Sequence, residues 1–308
     1  MSADLPLAIT GATGFVGQAV MDEAARRGLP IRALTRKSQF DRAGVTWIEG
    51  SLEDEPALDR LLAGAGAVLH IAGVVNAAGW EGFERGNVTG TENVLNAMRR
   101  NPNARRIVHV SSLSAREPAL SNYGRSKRLG EQLVEASEFD WTVIRPPAIY
   151  GPRDKEILEV FRAAKSGFVP MPPRGRASVI HVNDLARLLL DLVPPRPTVT
   201  KSRVFEADDG HKRGWSHEEL ARHIGAALEK RVVVLHMPAA IVKTAALIDR
   251  LFRGPDAKLT PDRASYMVHR DWTVRSAWAV PAEIWQPGIA LAQGLADTAQ
   301  WYREHGWI

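Results

Sequence analysis

Tyr123 and Lys127 are four residues apart in the segment Tyr123-Gly124-Arg125-Ser126-Lys127, a spacing that places both side chains on one face of a helix. A tyrosine hydroxyl, with an ordinary pKa of about 10, transfers protons poorly at neutral pH. A nearby ammonium stabilises the phenolate and lowers the pKa of the hydroxyl. The pair therefore predicts proton transfer by Tyr123, although a Tyr-x-x-x-Lys spacing alone is a common coincidence.

Two hydroxyl side chains, Ser111 and Ser112, follow the apolar segment Ile107-Val108-His109-Val110. That segment is typical of a buried strand, and open α/β sheets bind ligands at the carboxyl ends of their strands. We therefore expect a hydrogen-bond donor at this edge of the sheet. A strand ending in two serines and followed by Tyr-x-x-x-Lys is a more specific pattern than either part alone.

Three glycines near the N-terminus, Gly11, Gly14 and Gly17, follow the first apolar segment and precede the first helical one. In such a loop the first glycine permits a tight turn and the second lets backbone N–H groups approach a pyrophosphate. The third lets the helix pack closely on the strand. The unpaired N–H groups and partial positive charge of the helix N-terminus favour an anion there. The pattern predicts a dinucleotide-binding loop.

The end of the second predicted strand indicates which dinucleotide is preferred. An acidic residue at this place accepts hydrogen bonds from the adenosine ribose and favours NAD, whereas an arginine favours the 2′-phosphate of NADP. The segment 31–38 holds Arg36 and Lys37 and contains no acid. We therefore predict NADP(H) as the preferred cofactor and NAD(H) as the alternative; the other interpretation is that these two cations belong to a solvated loop.

The first half of the chain alternates short apolar segments with longer amphipathic ones. This alternation predicts βαβ crossovers, and the nearly continuous apolar character of the strands predicts that both faces of a parallel sheet are buried. The expected fold class is α/β, a Rossmann-type doubly wound parallel sheet. The predicted strands are Leu5–Thr10, Ile31–Thr35, Val45–Glu49, Ala67–Ile71, Arg106–Ser111 and Trp141–Arg145, and the predicted helices are Phe15–Arg27, Glu55–Leu62, Gly90–Arg100 and Tyr123–Ser137.

The second half has a different composition, with prolines crowded into 169–176 and 194–197 and six of the nine tryptophans beyond residue 200. We interpret it as a smaller, partly interleaved C-terminal substrate lobe, with predicted helices at Asp184–Val193, His217–Glu229, Ala239–Phe252 and Ile289–Glu304. Predicted boundaries are 1–151 for the dinucleotide-binding domain, with 178–206 returning to it, and 152–177 and 207–308 for the substrate lobe. The amphipathic segment Ala239–Phe252 is expected to pack on the protein, with contact to a membrane surface or a lipid-like substrate as the alternative.

Composition excludes several classes of protein. The 308 residues contain no cysteine, which excludes disulfides and cysteine-ligated metals. The net charge of +5 is spread along the chain, so no nucleic-acid partner is predicted. The histidines lack the spacing of a metal site, so we predict no metal. No segment has the features of a secretory signal or a membrane span, and the expected location is cytoplasmic.

These motifs together resemble the short-chain dehydrogenase/reductase superfamily, in its extended branch of NAD(P)-dependent epimerases, dehydratases and reductases. The resemblance extends over nearly the whole chain. It is carried by Thr10–Gly17 (T-G-A-T-G-F-x-G), His70–Gly73 (H-x-A-G), Asn87–Val94 (N-V-x-G-T-x-N-V), Arg145–Pro152 (R-P-x-x-x-Y-G-P), His181–Ala186 and Gly294–Tyr302.

The resemblance implies catalytic roles for three residues. Tyr123 is the general acid/base, Lys127 orients the cofactor and tunes Tyr123, and Ser112 polarises the reacting oxygen, with Ser111 less favoured and Ser114 as another candidate. The implied cofactor-binding residues are Gly11, Thr13, Gly14, Phe15, Val16, Gly17, Arg36, Ser51, Leu52, Ala72, Gly73, Ser111, Tyr123, Lys127, Pro146 and Ala148.

Three departures from the family pattern affect the expected substrate. Ser51 replaces an aspartate that contacts adenine in many members, and only ten residues separate Ser112 from Tyr123. Ala148 stands where sugar-nucleotide enzymes of the branch usually have asparagine. This last change favours the 3β-hydroxysteroid dehydrogenase-like and dihydroflavonol reductase-like relatives, which act on apolar alcohols or ketones.

The function we expect is reversible hydride transfer between NADP(H) and a secondary alcohol or ketone of a small apolar substrate. One alternative is a nucleotide-sugar epimerase or dehydratase with bound NAD. Another is a non-catalytic NADP(H)-binding sensor or assembly factor, which would have no need of the Tyr123/Lys127 pair. Relatives commonly form helix-paired homodimers, so a homodimer is one expected arrangement. Glu131, on the same predicted helix as Tyr123, is expected to face solvent.

Overall fold

The computed structural model describes residues 5–254, 257 and 259–308. Most of its strands are short. They are β1 (Leu7–Thr10), β2 (Ile31–Thr35), β3 (Val45–Glu49), β4 (Ala67–His70), β5 (Arg106–Val110), β6 (Asp140–Arg145), β7 (Ala148–Tyr150), β8 (Phe168–Met171), β9 (Arg176–Ala177), β10 (Val179–His181), β11 (Arg203–Glu206), β12 (Trp215–Ser216), β13 (Val233–His236) and β14 (Asp271–Trp272).

The helices of the first half lie between the strands of the main sheet, and those of the second half lie between much shorter strands. The helices are α1 (Phe15–Arg26), α2 (Glu55–Leu62), α3 (Trp80–Phe83), α4 (Gly90–Arg100), α5 (Asn122–Glu135), α6 (Leu158–Lys165), α7 (Val182–Asp191), α8 (His217–Ala227), α9 (Ala239–Arg253), α10 (Pro261–Met267) and α11 (Leu291–Glu304).

Seven strands form the main sheet, in the order β3-β2-β1-β4-β5-β6-β11. Every pair from β3 to β6 runs parallel. The chain moves outward from β1 to β3, returns to β4 and then moves outward in the other direction. The order of the strands therefore reverses between β1 and β4, at the place where ligands bind in this class of sheet. The predicted α/β Rossmann-type fold is confirmed.

Burial explains why these segments form a parallel sheet. All residues of β1, β4 and β5 are buried, so both faces of the central strands are covered. The apolar side of α2, including Leu58 and Leu61, packs with Val94 and Met98 of α4 in one hydrophobic cluster. These contacts fix the helices on the sheet and leave the carboxyl ends of the strands to carry loops.

Contacts divide the chain into two compact units. The first comprises residues up to Arg145, Leu185–Phe205 and Val280–Trp285, and contains nearly all of the main sheet. The second comprises Pro146–Asp184, Glu206–Ala279 and Gln286–Ile308. The chain thus passes between the units several times, which is why they cannot be separated by one cut.

The second unit has a core of its own, built from α6, α8 and α11. Tyr302 is fully buried there and donates a hydrogen bond to the carbonyl of Asp154 at 2.6 Å. Several short strands are absent from our predictions, because strands of two to four residues have no readable periodicity; the helices α3, α6 and α10, each of eight residues or fewer, are absent as well. Among the described residues, no helix combines the length and apolarity needed to cross a bilayer.

Candidate active site

The glycine loop joins β1 directly to α1. Gly11 has φ +78°, and a Cβ added there would lie 2.6 Å from the backbone nitrogen of Ala72. A Cβ on Gly17 would overlap the carbonyl of Gly11 and lie 2.7 Å from Cα of Ala12. Gly14 is the residue before α1 and has no side chain to cap it, so the first N–H groups of the helix stay available. This cradle suits a pyrophosphate.

The other residues that we predicted to bind the cofactor phosphates are accessible at the surface. Thr13 and Gly14 are exposed, and Phe15 and Val16 are partly exposed at the first turn of α1. Arg36 and Lys37 are exposed immediately after β2. Parallel strands end at one edge of the sheet, so the glycine loop after β1 and the two cations after β2 are at the same edge.

Ser51 and Leu52 follow β3 at this same edge and are partly exposed. The Oγ of Ser51 accepts a hydrogen bond from the backbone N–H of Glu53 at 3.2 Å. The carbonyl of Leu52 accepts one from the amide of Asn93 at 2.8 Å. Ser51 therefore stabilises its own turn through its hydroxyl, and its predicted contact with the cofactor stays a prediction.

The segment after β4 is fixed by Asn87, a buried residue that we did not predict as part of the site. Its Oδ1 accepts from the N–H of Val74 at 2.6 Å, and its Nδ2 donates to the carbonyl of Val74 and to Oγ of Ser126 at 2.9 and 2.8 Å. Asn87 belongs to a π-helical turn, Glu84–Thr89, a feature frequent at functional sites. It thereby positions Ala72 and Gly73 against α5.

The Tyr123 hydroxyl meets two serines at the carboxyl end of β5. It forms hydrogen bonds with Ser112 and Ser114, whose Oγ atoms are 2.6 Å apart. Ser112 begins the short 3₁₀ turn 113–116, which brings Ser114 beside it. Gly124 allows this approach, because a Cβ there would lie 2.6 Å from the carbonyl of Ser114. The structure thus brings Ser112, Ser114 and Tyr123 together.

Ser111 is placed differently from Ser112. Its side chain is buried, and its Oγ has no hydrogen-bond partner among the described residues. Its backbone N–H donates to the carbonyl of Ile144 of β6 at 2.8 Å. Ser111 therefore continues the pairing of β5 with β6, while Ser112 points its hydroxyl to Tyr123.

The acidity of Tyr123 differs from our prediction. Burial raises the pKa of its hydroxyl above the ordinary value, and the hydrogen bonds with Ser112 and Ser114 act in the opposite direction. Lys127, which we predicted to lower that pKa, instead donates from Nζ to the carbonyl of Val110 at 2.7 Å. The groups that favour the phenolate in this structure are the two serine hydroxyls.

Lys127 is buried one turn along α5 from Tyr123. Burial lowers the pKa of its ammonium to about 8, and the charge of Glu131 opposes that decrease. An ammonium has three N–H donors, and Nζ has one protein acceptor among the described residues, the carbonyl of Val110. A Cβ on Gly73 would lie 3.5 Å from Nζ, so the segment after β4 passes close to the remaining donors.

We predicted that Glu131 faces solvent, and this prediction is wrong. It is completely buried and accepts two hydrogen bonds from Arg145 at 2.7 and 2.6 Å, with a third from Arg128 at 2.9 Å. The physical reason is the helical repeat, because residues 123, 127 and 131 occupy one face of α5. Our prediction considered the charge of Glu131 and not its position on that face.

Two buried histidines lie behind Lys127, on adjacent strands. His70 contacts the hydroxyls of Thr10 and Thr91 at 2.6 and 3.1 Å, and its ring centroid is 5.2 Å from that of His109. Burial lowers the pKa of His70 to about 3 and the pKa of His109 well below its ordinary value, and the charge of Lys127 acts in the same direction. Both rings are therefore neutral in the folded protein.

We expect the free energy of unfolding to decrease as the pH falls below 6.5. The unfolded chain then binds protons at His70 and His109 that the folded chain does not bind. Each histidine contributes a slope of about 1.4 kcal/mol per pH unit. Urea unfolding at several pH values should give a shallower slope for His70→Asn, and the exposed His305→Asn controls for the substitution. Equal slopes for His70→Asn and wild type would contradict the assignment.

Pro146 and Ala148 belong to the second unit, so their predicted role beside the nicotinamide stays a prediction. Pro146 is buried, and Ala148 is exposed at the start of β7. The residues of the first unit fit a nicotinamide dinucleotide on three observations of this structure. These are the glycine cradle before α1, the exposed cations after β2, and the free N–H donors of the buried Lys127.

Comparisons with known proteins agree with this geometry. Residues 7–196 match the NAD dependent epimerase/dehydratase family. The chain is 36% identical to a ceramide reductase of Caulobacter vibrioides over 315 residues, covering 98% of this chain and 96% of that protein. It is 31% identical over 174 residues to 4-hydroxy-2-methyl-3-oxo-4-farnesyl-3,4-dihydroquinoline-1-oxide ketoreductase of Stigmatella aurantiaca, covering 49% of this chain and 52% of the relative.

A solved structure shares the fold. MoeE5 in complex with UDP-glucose and NAD superposes with a TM-score of 0.74 at 21% identity, covering 97% of this chain and 99% of that one. At that identity the likeness concerns the fold alone. The match to the family over more than half of the chain, together with the full-length reductase relative, shows that the chain belongs to the NAD dependent epimerase/dehydratase family and is an NAD(P)-dependent oxidoreductase of the extended short-chain dehydrogenase/reductase type.

Proposed function

We propose that this enzyme reduces a ketone on a lipid-like substrate to a secondary alcohol, with NADPH as the preferred cofactor. The observation that carries the reaction type is the contact of the Tyr123 hydroxyl with Ser112 and Ser114 at the carboxyl end of β5. The Tyr123 hydroxyl can donate a proton, and the two serine hydroxyls hydrogen-bonded to it can return a proton to the phenolate.

Tyr123 donates its proton to the carbonyl oxygen of the substrate as that oxygen gains negative charge. Bound NADPH would supply the hydride that adds to the carbonyl carbon, so the π bond of C=O is replaced by one new C–H bond and one new O–H bond, and the C–O single bond remains. Ser112 donates a hydrogen bond to the same oxygen, with Ser114 as its partner. Lys127 holds the ribose of the cofactor through its remaining N–H donors, and Glu131 keeps that ammonium charged.

The preference for NADPH rests on the end of β2. Arg36 and Lys37 are exposed there, and no acid lies between Ile31 and Ser38. No ion pair of Arg36 is found among the described residues, so its guanidinium is available for a phosphate. A carboxylate within the segment 31–38 would repel the 2′-phosphate, and this segment contains none.

Arg36→Ala should weaken NADPH binding by about 10- to 100-fold, the range of one lost charge-assisted contact. NADH binding should stay unchanged, because NADH has no 2′-phosphate. Fluorescence titration of both cofactors measures the two affinities. Arg105→Ala is the matched control: it removes the same charge just before β5, at the opposite edge of the sheet. Equal losses for NADH and NADPH would contradict the preference.

The substrate class rests on two observations. The ceramide reductase and the farnesyl-dihydroquinoline-oxide ketoreductase are both named for substrates with long hydrocarbon groups. In this chain, Ala148 offers a methyl group where sugar-nucleotide relatives usually have an asparagine, so a polar ligand for a glycosyl group is missing. An apolar ketone needs no such ligand.

The reaction is tested by following the loss of NADPH absorbance as the cofactor is oxidised. The panel should contain long-chain 3-ketolipids in detergent, short water-soluble ketones and UDP-glucose. We expect turnover of the ketones, fastest with the long chain. Conversion of UDP-glucose with retained NAD and no ketone reduction would instead establish the epimerase/dehydratase alternative.

A further inference from the structure

The helix α9 turns its large apolar side chains to solvent. Five of its large apolar residues are exposed, and two of them near its C-terminal end, Leu251 and Phe252, are exposed by more than four fifths. The exposed apolar residues of α9 are Ile241, Leu247, Ile248, Leu251 and Phe252. An ordinary helix of a globular protein buries such residues and exposes polar ones. In α9 the large apolar residues are exposed together with the polar ones.

The buried side of α9 is already packed by small side chains. Val242 and Ala246, one turn apart, form a cluster with Ala264 of α10. Asp249 accepts a hydrogen bond from the N–H of Leu259 at 2.8 Å and forms an ion pair with Arg253. The contacts that fix the helix therefore use one face, and the large apolar residues are not needed for them.

The neighbouring segment has the same character. Two residues separate the end of β13 from the start of α9. In β13, Val233 and Leu235 lie on the same face of the strand, and both are exposed. Its partner strand β8 exposes Phe168, which is directly opposite Val233. Apart from Trp278, the exposed large apolar residues in the described part of the second unit thus lie in the segment 233–252 or in the partner strand β8.

Cations border the apolar face. Lys243 and Arg250 are exposed and seven residues apart, so they share one side of the helix, between the buried face and the apolar one. The helix has three cations and one acid, a net charge of +2, and that acid, Asp249, is paired with Arg253. Neither Lys243 nor Arg250 has an ion pair among the described residues, and an apolar face bordered by such cations is complementary to anionic phospholipid.

A second copy of the chain fits this face less well. Two copies related by a two-fold axis would place Lys243 and Arg250 of both α9 helices in one interface, where like charges repel. Phospholipid headgroups instead neutralise these cations. With fifteen residues α9 is about 22 Å long, shorter than the hydrocarbon core of about 30 Å, so it suits a position parallel to the surface.

We propose that α9 docks the enzyme on an anionic phospholipid surface, with Leu247, Leu251 and Phe252 entering the boundary between headgroups and acyl chains. Docking is independent of the proposed reaction, because it concerns only the exposed face of this helix. It would bring an enzyme that uses a lipid-like ketone to the phase in which such a ketone is dissolved.

Co-sedimentation of the full chain with vesicles tests the proposal. We expect wild type to bind vesicles of phosphatidylcholine mixed with phosphatidylglycerol, and to bind vesicles of phosphatidylcholine alone much more weakly. Leu251→Ser combined with Phe252→Ser should weaken binding to the mixed vesicles at least ~10-fold. Lys243→Gln combined with Arg250→Gln should weaken it by about 10- to 30-fold, with little change for neutral vesicles.

Phe40→Ser is the matched control, since Phe40 is 97% exposed on the first unit and its loss should leave vesicle binding unchanged. The Leu251/Phe252 variant should keep its NADPH affinity and its activity on a water-soluble ketone, which separates docking from the reaction. Wild type that stays in the supernatant with mixed vesicles would overturn the proposal. Self-association abolished by the same variant, without vesicle binding, would also overturn it and establish an interface between copies.

Discussion

Tyr123→Phe is expected to lower kcat for ketone reduction at least ~100-fold, within the range that a general acid supplies. The substitution removes only the hydroxyl that Ser112 and Ser114 contact, and phenylalanine keeps the ring in place. NADPH affinity should be unchanged, because Lys127 and the glycine loop are untouched. Steady-state kinetics and a fluorescence titration with NADPH measure the two effects separately.

Tyr266→Phe is the matched control for the loss of a phenol hydroxyl. Tyr266 lies on α10 of the second unit and is partly exposed, so kcat should stay at the wild-type value. Full activity of Tyr123→Phe would eliminate this residue as the acid. Loss of NADPH binding together with activity would instead mean that the Tyr123 hydroxyl supports the cofactor site.

Gly17→Ala is expected to weaken NADPH binding at least ~100-fold, because two or more charge-assisted N–H contacts to the pyrophosphate are lost. The added methyl group would overlap backbone atoms of Gly11 and Ala12, so the loop itself has to move. The overpacked loop should also lower the free energy of unfolding by about 1–3 kcal/mol. Titration with NADPH and urea unfolding give the two values.

Gly28→Ala separates these effects. Gly28 has φ +64°, and a Cβ there would meet no atom within 4 Å. The strained backbone conformation should cost about 1 kcal/mol of stability without changing NADPH affinity. If Gly17→Ala bound NADPH as tightly as wild type, the glycine loop would not be the pyrophosphate site.

The main sheet was predictable because its strands are short and almost continuously apolar, whereas its helices are amphipathic. The predicted helices Glu55–Leu62 and Gly90–Arg100 agree with α2 and α4 at both ends, since each has a regular apolar face. The pairing of β11 with β6 was not predictable, because Arg203–Glu206 is a four-residue strand far along the chain. Its partner is determined by tertiary packing and not by local sequence.

The site was predictable where one element carries the pattern. Tyr123 and Lys127 share α5, so their spacing indicated the pair, whereas Ser112, two residues after the end of β5, was selected by the family resemblance. The motif Asn87–Val94 contains Asn87, but its contacts with Val74 and Ser126 were not predictable because they join segments that are distant in sequence. The effect of Lys127 on Tyr123 was predicted wrongly, since the direction of Nζ toward Val110 depends on packing around it.

The late position of β11 bears on biosynthesis. β6 ends at Arg145, and the strand that pairs with it ends at Glu206, so about 60 further residues must be added before the sheet is complete. At about 5–20 residues per second, translation takes about 3–12 s over this interval. During that time the nascent chain carries an open edge that can pair with other unfinished chains. We therefore expect chaperone demand during translation to be greatest just before residue 206 leaves the ribosome.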